Sequence, residues 1–193
     1  MTTRALAGAL GDRFEVLTLG SRVTERHSSL AAVVGWSYEL LTPEERAVFD
    51  RFGVFAGPVS AEVAGAVCGA RPAVLVRLVD CSLLVARRGD ATQFSMLETI
   101  RVYARSRLEG NGALEATRDD HAAWAVEFAE QASAGLAGPE EDAWSERIAT
   151  HLSELRAAHV WLVGTDAAGA LRLSAALHPW AFWRGRSGLF RWA

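Results

Sequence analysis

The four residues Thr42-Pro43-Glu44-Glu45 constrain this chain more than any others. Thr42 is a good N-cap, and Pro43 suits the first helical position, where its missing N–H forfeits no bond. Glu45 stands where its carboxylate reaches back to complete a capping box. A helix therefore starts at 43. Just before it, residues 28–41 place Leu30, Val33, Val34, Ser37, Tyr38 and Leu41 on one face at helical spacing. One helix ends and a second restarts with almost no loop, and the WSYELL stretch reads as packing core of the first.

The second helix has Val48, Phe49 and Phe52 inward and runs into Val54-Phe55 before Gly57-Pro58 breaks it. Ser60 caps a short helix to Cys68, with Val63, Ala64 and Val67 inward, and Gly69 ends it. Pro72 opens another helix with the inner face Leu75, Leu78 and Val79. The period then changes. SLLVAR and TQFSM read as two strands joined by the turn Arg88-Gly89-Asp90-Ala91. A helix from about Leu97 to Leu108 follows, facing inward through Ile100, Ala104 and Leu108, and Glu109-Gly110-Asn111-Gly112 marks a boundary. At the N-terminus, residues 3–11 read as a short helix and FEVLTLGSR as extended.

Beyond that boundary the pattern is wholly helical. Residues 114–134 carry His121, Trp124, Ala125 and Phe128, and Leu136 to Gly138 is a turn. Pro139 starts a long helix whose stripe is Trp144, Ile148, Leu152, Leu155, His159 and Leu162. Asp166 caps a last helix, which Pro179 should kink or end. The aromatic, basic end from Trp180 to Trp192 calls for a continuation or a partner, and the stop at Phe190-Arg191-Trp192-Ala193 suggests truncation. The expected fold is mainly α: a winged helix with a small β-hairpin, followed by antiparallel helical repeats of tetratricopeptide type.

Composition narrows the function classes. Across 193 residues, 50% are hydrophobic and 22% charged, which supports a packed core rather than disorder. The formal net charge is -3, without the basic surplus that drives phosphate-based affinity in dedicated nucleic-acid binders. The two cysteines, Cys68 and Cys81, form no Cys-x-x-Cys pair and fall on apolar faces or their edges, so packing is their expected role and a reduced, cytoplasmic setting the default. MTTRALAGALGDRF lacks a signal-peptide core, and no apolar run approaches the ~18 residues of a membrane span.

The order of motifs resembles the middle of large actinobacterial regulators of the signal-transduction ATPase class with numerous domains. These are relatives of the apoptotic and plant-resistance (NB-ARC-like) nucleotide switches, many with LuxR-type DNA-binding domains. The matching stretches are RFEVLTLGSR, RHSSLAAVVGWSYELLTPEERAVFDRFGVFAG, LVRLVDCSLLV, FSMLETIRVYARSRL, HLSELRAAHVWL and ALRLSAALHPWAFWRG. The resemblance implies that residues 1–20 are the tail of the helical domain behind an ATPase core, 21–110 the winged helix, and 113–193 the first repeats of a sensing arm. It also implies that the winged helix packs on a nucleotide-binding domain, in cis or in trans, and holds the ADP state, while a protein partner meets the arm. ATP or ADP would belong to a full-length protein. No G-x-x-x-x-G-K-[ST] occurs, so nothing here cradles phosphates and no cofactor is expected in this chain. Met96, Leu97 and Glu98 fall where eukaryotic relatives carry Met-His-Asp near the nucleotide; Leu97 donates no hydrogen bond, and Glu98 is expected to cap the helix it opens.

The remaining candidates read blandly. Successive helical residues diverge, so Asp119-Asp120-His121 is expected to be a solvated face with one half-buried histidine rather than a metal site. His151 and Glu154 are spaced to share a metal but lack a third ligand, which leaves a surface pair. His159 lies on an apolar stripe as a core histidine, and Arg26-His27 reads as a surface pair. The recognition-helix candidate, PAVLVRLVD over 72–80, offers Arg77 against Asp80, and the wing offers Arg87 and Arg88 against Asp90. No nucleophile elbow or triad is present. The expected function is a regulatory, contact-making segment and not an enzyme. A free-standing winged-helix DNA-binding regulator is the alternative, and a metal-dependent hydrolase using His121 or His151 is a third.

Overall fold

The computed structural model describes residues 33–89 and 91–183, with residue 183 as backbone. The helix expected at 3–11, the extended FEVLTLGSR, Arg26-His27, Asp90 and the tail 184–193 lie outside the described residues. The chain divides into two compact units, Met1–Leu41 and Thr42–Ala193.

In the first unit, helix α1 covers 33–39. Val34, Tyr38 and Leu41 are buried, as their spacing predicts, but Val33 and Trp36 are exposed. The WSYELL stretch is thus core only through Tyr38 and Leu41. A helix buries a stripe rather than every large side chain along it.

The second unit begins with the capping box. Glu45 N–H donates to Thr42 Oγ1 and Thr42 N–H donates to Glu45 Oε2, at 3.3 and 2.8 Å. Helix α2, Pro43–Phe52, buries Val48, Phe49 and Phe52. Strand β1, Val59–Ser60, leads directly into α3, Ala61–Cys68, which Ser60 caps and which Gly69 ends in the left-handed region at φ 67°. Helix α4, Pro72–Asp80, buries Val74, Leu75 and Leu78, so the inner face is shifted by one position from the expected Val79. Its end turns through Ser82, at φ 58°, so that Leu83 and Ser82 N–H donate back to the Leu78 and Val79 carbonyls. That is a Schellman arrangement built without glycine. It aims Leu83 and Leu84 inward, and both are buried.

The hairpin forms where the alternation predicts it, with β2, Val85–Arg87, paired antiparallel to β3, Gln93–Ser95. The sheet has a third member that the sequence did not reveal. Val59 pairs with Phe94, placing β1 beside β3 in the order β1-β3-β2. Two residues are too few for a period-2 signal. Helix, strand, two helices and a hairpin, in this order, make a winged helix. Helix α5, Glu98–Gly110, closes it through Ile100, Ala104 and Leu108.

Three helices complete the unit: α6, Leu114–Leu136, α7, Glu141–Thr165, and α8, Ala167–Trp183, all packed against one another. Their shared core includes Phe128, Ile148, Leu155, Leu173, Leu177 and Trp180. Two expectations are corrected here. Helix α8 continues past Pro179 to Trp183 rather than ending there. A helix-interior proline costs about 3 kcal/mol, but Leu177, Trp180 and Ala181 around it are buried, and Trp180 Nε1 donates to Ser145 Oγ of α7 at 2.7 Å. Trp180 is therefore core and not part of an exposed aromatic end. Phe182 is exposed. No helix among the described residues is long and apolar enough to cross a membrane.

Helices α6 and α7 approach each other closely at Gly135. A Cβ there would lie 2.1 Å from Trp144 Nε1. Arg147 stacks on the Trp144 ring at 4.0 Å, and Phe128 lies 6.3 Å away, so the indole has little room to move. Gly135→Ala is expected to destabilise the chain by roughly 1–3 kcal/mol through overpacking, despite alanine's better helix propensity. Urea denaturation checks this; an unchanged or raised midpoint contradicts the close packing.

Candidate functional site

Helix α7 presents a carboxylate to the interior. Glu154 is fully buried, and two backbone amides, a hydroxyl and a histidine ring surround its carboxylate. Gly57 N–H donates to Oε1 at 2.6 Å and Ala56 N–H to Oε2 at 3.1 Å. His121 Nε2 of α6 lies 3.1 Å from Oε2, and Ser153 Oγ lies 3.4 Å from Oε1. The loop between α2 and β1 leaves these amides without a sheet or helix partner, and a buried amide must find one. Glu154 supplies it from nearly a hundred residues further along the chain.

The carbonyl side of the same loop is held as well. Arg101 of α5 donates through Nη1 to the Phe55 and Ala56 carbonyls at 3.1 and 3.3 Å, and its Nη2 donates to Glu98. Beside it, Arg51 of α2 donates through Nη2 to the Val67 carbonyl at 2.5 Å and to Asp120 Oδ2 of α6 at 2.6 Å. Asn111 Nδ2 donates to the buried Asp50 carboxylate at 3.3 Å. The winged helix is thereby tied to the three-helix arm by a buried carboxylate, one arginine and the backbone of one loop.

Aromatic rings line the arm side. His121 meets the edge of Phe55 at 5.7 Å and stacks on Trp124 at 5.8 Å. His151 stands edge-on to Trp124 and Phe128. Burial holds the His151 imidazole below its ordinary value of 6.5, since the charged ring loses its water, while the nearby Glu154 charge opposes that shift. Burial lowers His159 in the same way. The Cys68 thiol, buried on α3, is pushed up to about 12 by loss of solvation, which keeps it an inert packing group.

Several expectations change at this site. Asp119, Asp120 and His121 do diverge: Asp119 Oδ1 accepts from Trp161 Nε1 at 2.8 Å, Asp120 meets Arg51, and His121 meets Glu154. His121, however, is buried rather than half-buried. His151 and Glu154 are not a surface pair but lie buried, Glu154 under the 53–58 loop and His151 against Trp124 and Phe128 of α6. His159 is a core histidine as expected. Among the described residues no group of three His, Cys, Asp or Glu side chains is placed to hold a metal.

Met96, Leu97 and Glu98 lie at the start of α5, with Leu97 exposed as its N-cap. Glu98 makes no cap bond; it pairs with Arg101 instead. On α4, Arg71 forms a two-pronged bond to Glu44 at 2.8 and 2.7 Å, which holds the Glu44 carboxyl below its usual range, and Arg77 lies 3.9 Å from Glu45. Arg87 and Arg88 on the wing are exposed. Sequence reasoning missed Arg51 and Arg101, which stand on helices with several other charged residues and so carried no distinguishing signal.

The chain is similar to proteins whose names mark them as predicted HTH-type transcriptional regulators, one from Mycobacterium bovis and two from strains of Mycobacterium tuberculosis. Identity is 32% over 205 residues, covering 98% of this chain and 22% of each relative. The chain therefore spans about a fifth of the length of these relatives. No described protein family and no solved structure matches it.

Glu154→Ala is expected to strand buried amides and cost about 3–5 kcal/mol, the range for breaking a buried charged partner, against less than about 0.5 kcal/mol for the exposed Glu146→Ala. Comparable costs for the two contradict the junction. For His151 the folded state binds its proton less readily than the unfolded chain. Its contribution is full above about 6.5 and is lost as pH falls from there through the lowered folded value. The urea midpoint should fall on acidification from pH 7.5 to 5.5, taken here as about one pH unit either side of the ordinary histidine value. His151→Leu should reduce that fall, and an unchanged pH profile in the variant contradicts the assignment.

Proposed function

We propose that this chain is a segment of a transcriptional regulator in which the winged helix works as a packing and relay module rather than as a DNA reader. The similarity to proteins named as HTH-type regulators supports the broad class. The observation that carries the finer reading is the charge state of α4. Its arginines are answered by acids of α2, Arg71 by Glu44 and Arg77 by Glu45, and the exposed Val76 stands on the same helix. A helix that reads a major groove needs free donors for base edges. A helix whose donors are neutralised, with apolar surface between them, is suited to pack on protein. The junction around Glu154 gives the arm a route to that helix, since movement of α7 displaces the loop between α2 and β1.

The motif order supports a still finer reading, in which the packing partner is a nucleotide-binding domain of a larger ATPase switch and the arm receives a protein signal. ATP and ADP would then act on that domain and not on this chain.

A second reading rests on the wing. Arg87 and Arg88 are exposed and meet no carboxylate among the described residues, and such a pair can grip phosphate. Fluorescence anisotropy on labelled duplexes at physiological salt separates the two. The relay reading expects only weak binding, at or above the ~1 µM edge of the non-specific range, and equal on unrelated sequences. Sub-micromolar, sequence-dependent binding that disappears in the Arg87→Gln, Arg88→Gln double variant would establish DNA reading and overturn the relay.

A further inference from the structure

A groove of about 400 Å³ opens between α5, α6 and α7, on the outer side of the junction. Arg101, Arg105, Arg118 and Arg156 line it, together with Val160 and Trp161. No acidic residue lines it. This concentration of positive charge stands out in a chain whose formal net charge is -3.

The arginines that do have ionic partners show what is missing here. Arg51, Arg71, Arg77 and Arg172 each meet a carboxylate of another helix, and Arg101 meets Glu98. Arg105, Arg118 and Arg156 meet none among the described residues. Arg118 lies over the Trp161 ring, 5.0 Å from its centroid, which fixes its position without cancelling its charge. The nearby acids are occupied elsewhere: Asp119 by Trp161 Nε1, Asp120 by Arg51, Glu154 by the 53–58 loop. Folding has brought guanidinium groups from separate helices to one concavity and left them electrostatically incomplete.

We propose that this groove binds a small, multiply phosphorylated anion. Guanidinium forks approaching from three helices suit the several oxygens of a phosphate chain, whereas one carboxylate satisfies only one fork. Val160, exposed beside the charges, offers an apolar wall for an organic body. A concavity closed by three helices admits a compact ligand and leaves little purchase for a rigid duplex. The site goes beyond the regulator reading and does not depend on it, because the groove lies apart from α4 and the wing.

Isothermal titration of the whole chain with tripolyphosphate at physiological salt tests the site. Arg105→Gln and Arg156→Gln are the groove variants and Arg172→Gln, already paired with Glu130, is the control. The expected result is saturable one-site binding, weakened at least about tenfold by each groove variant, as befits loss of a charge-assisted hydrogen bond, and unchanged in the control. Arg156 is exposed and bonds to no described residue, so its variant should keep or slightly raise Tm; a lowered Tm with intact binding would show a structural role and overturn the site. Tighter binding of a nucleoside triphosphate or a sugar phosphate than of tripolyphosphate assigns an organic ligand, and the reverse assigns free polyphosphate. The proposal fails if millimolar tripolyphosphate gives no saturable signal or if the control weakens equally. It also fails if an oligoglutamate peptide or a short DNA duplex occupies the groove more tightly, since the ligand would then be an acidic chain or a nucleic-acid backbone.

Discussion

A carboxylate removed from water must be surrounded by donors, and in this chain that requirement falls on Glu154. Its donors come from the Ala56 and Gly57 amides, from His121 and from its own neighbour Ser153. Each has a consequence for the fold. The loop after α2 must lie on α7, α6 must turn His121 toward the same point, and α7 must carry a charged residue on a face that is otherwise apolar. Breaking such a cluster from one side is far more costly than never building it. The relation between winged helix and arm is therefore set by chemistry as well as by apolar contact.

Arg101 completes the constraint from the opposite side. The loop's carbonyls point to a guanidinium on α5 while its amides point to a carboxylate on α7. A loop held at both polar edges cannot shift without disturbing both helices. On the relay reading proposed above, such a loop would pass displacement between α5 and α7. Arg71 and Arg77, for their part, join α4 to α2 through Glu44 and Glu45.

The pattern of what was legible follows from the range of each interaction. Thr42 with Glu45, Ser60 with Val63 and Gly69 at its left-handed position are satisfied within a turn of chain. They could be read directly, as could the hairpin around residue 89. Strand β1 could not, because Val59 becomes a strand only when Phe94 is beside it. That α8 continues past Pro179 was not legible, because Trp180 just beyond it is held by Ser145 of another helix. At the candidate site, Asp119-Asp120-His121 was rightly expected to diverge, since helical geometry alone settles that, but the three destinations were out of reach.

What this sequence by itself determined is the inventory and order of elements: capped helices, a hairpin, then long amphipathic helices, in the order of a winged helix and an arm. Periodicity and capping settle these because each depends on residues a few positions apart. Which polar residues lie inside was decided only by tertiary structure. His151 and Glu154 look like any exposed histidine and glutamate one turn apart, and Arg105, Arg118 and Arg156 like any solvated arginines. Glu154 is buried where the 53–58 loop meets it and His151 where Trp124 and Phe128 of α6 meet it, and the three arginines share a groove because α5, α6 and α7 converge there. Burial and convergence are properties of the assembled chain, since charge and donor capacity belong to a residue while the partner that answers them belongs to the fold.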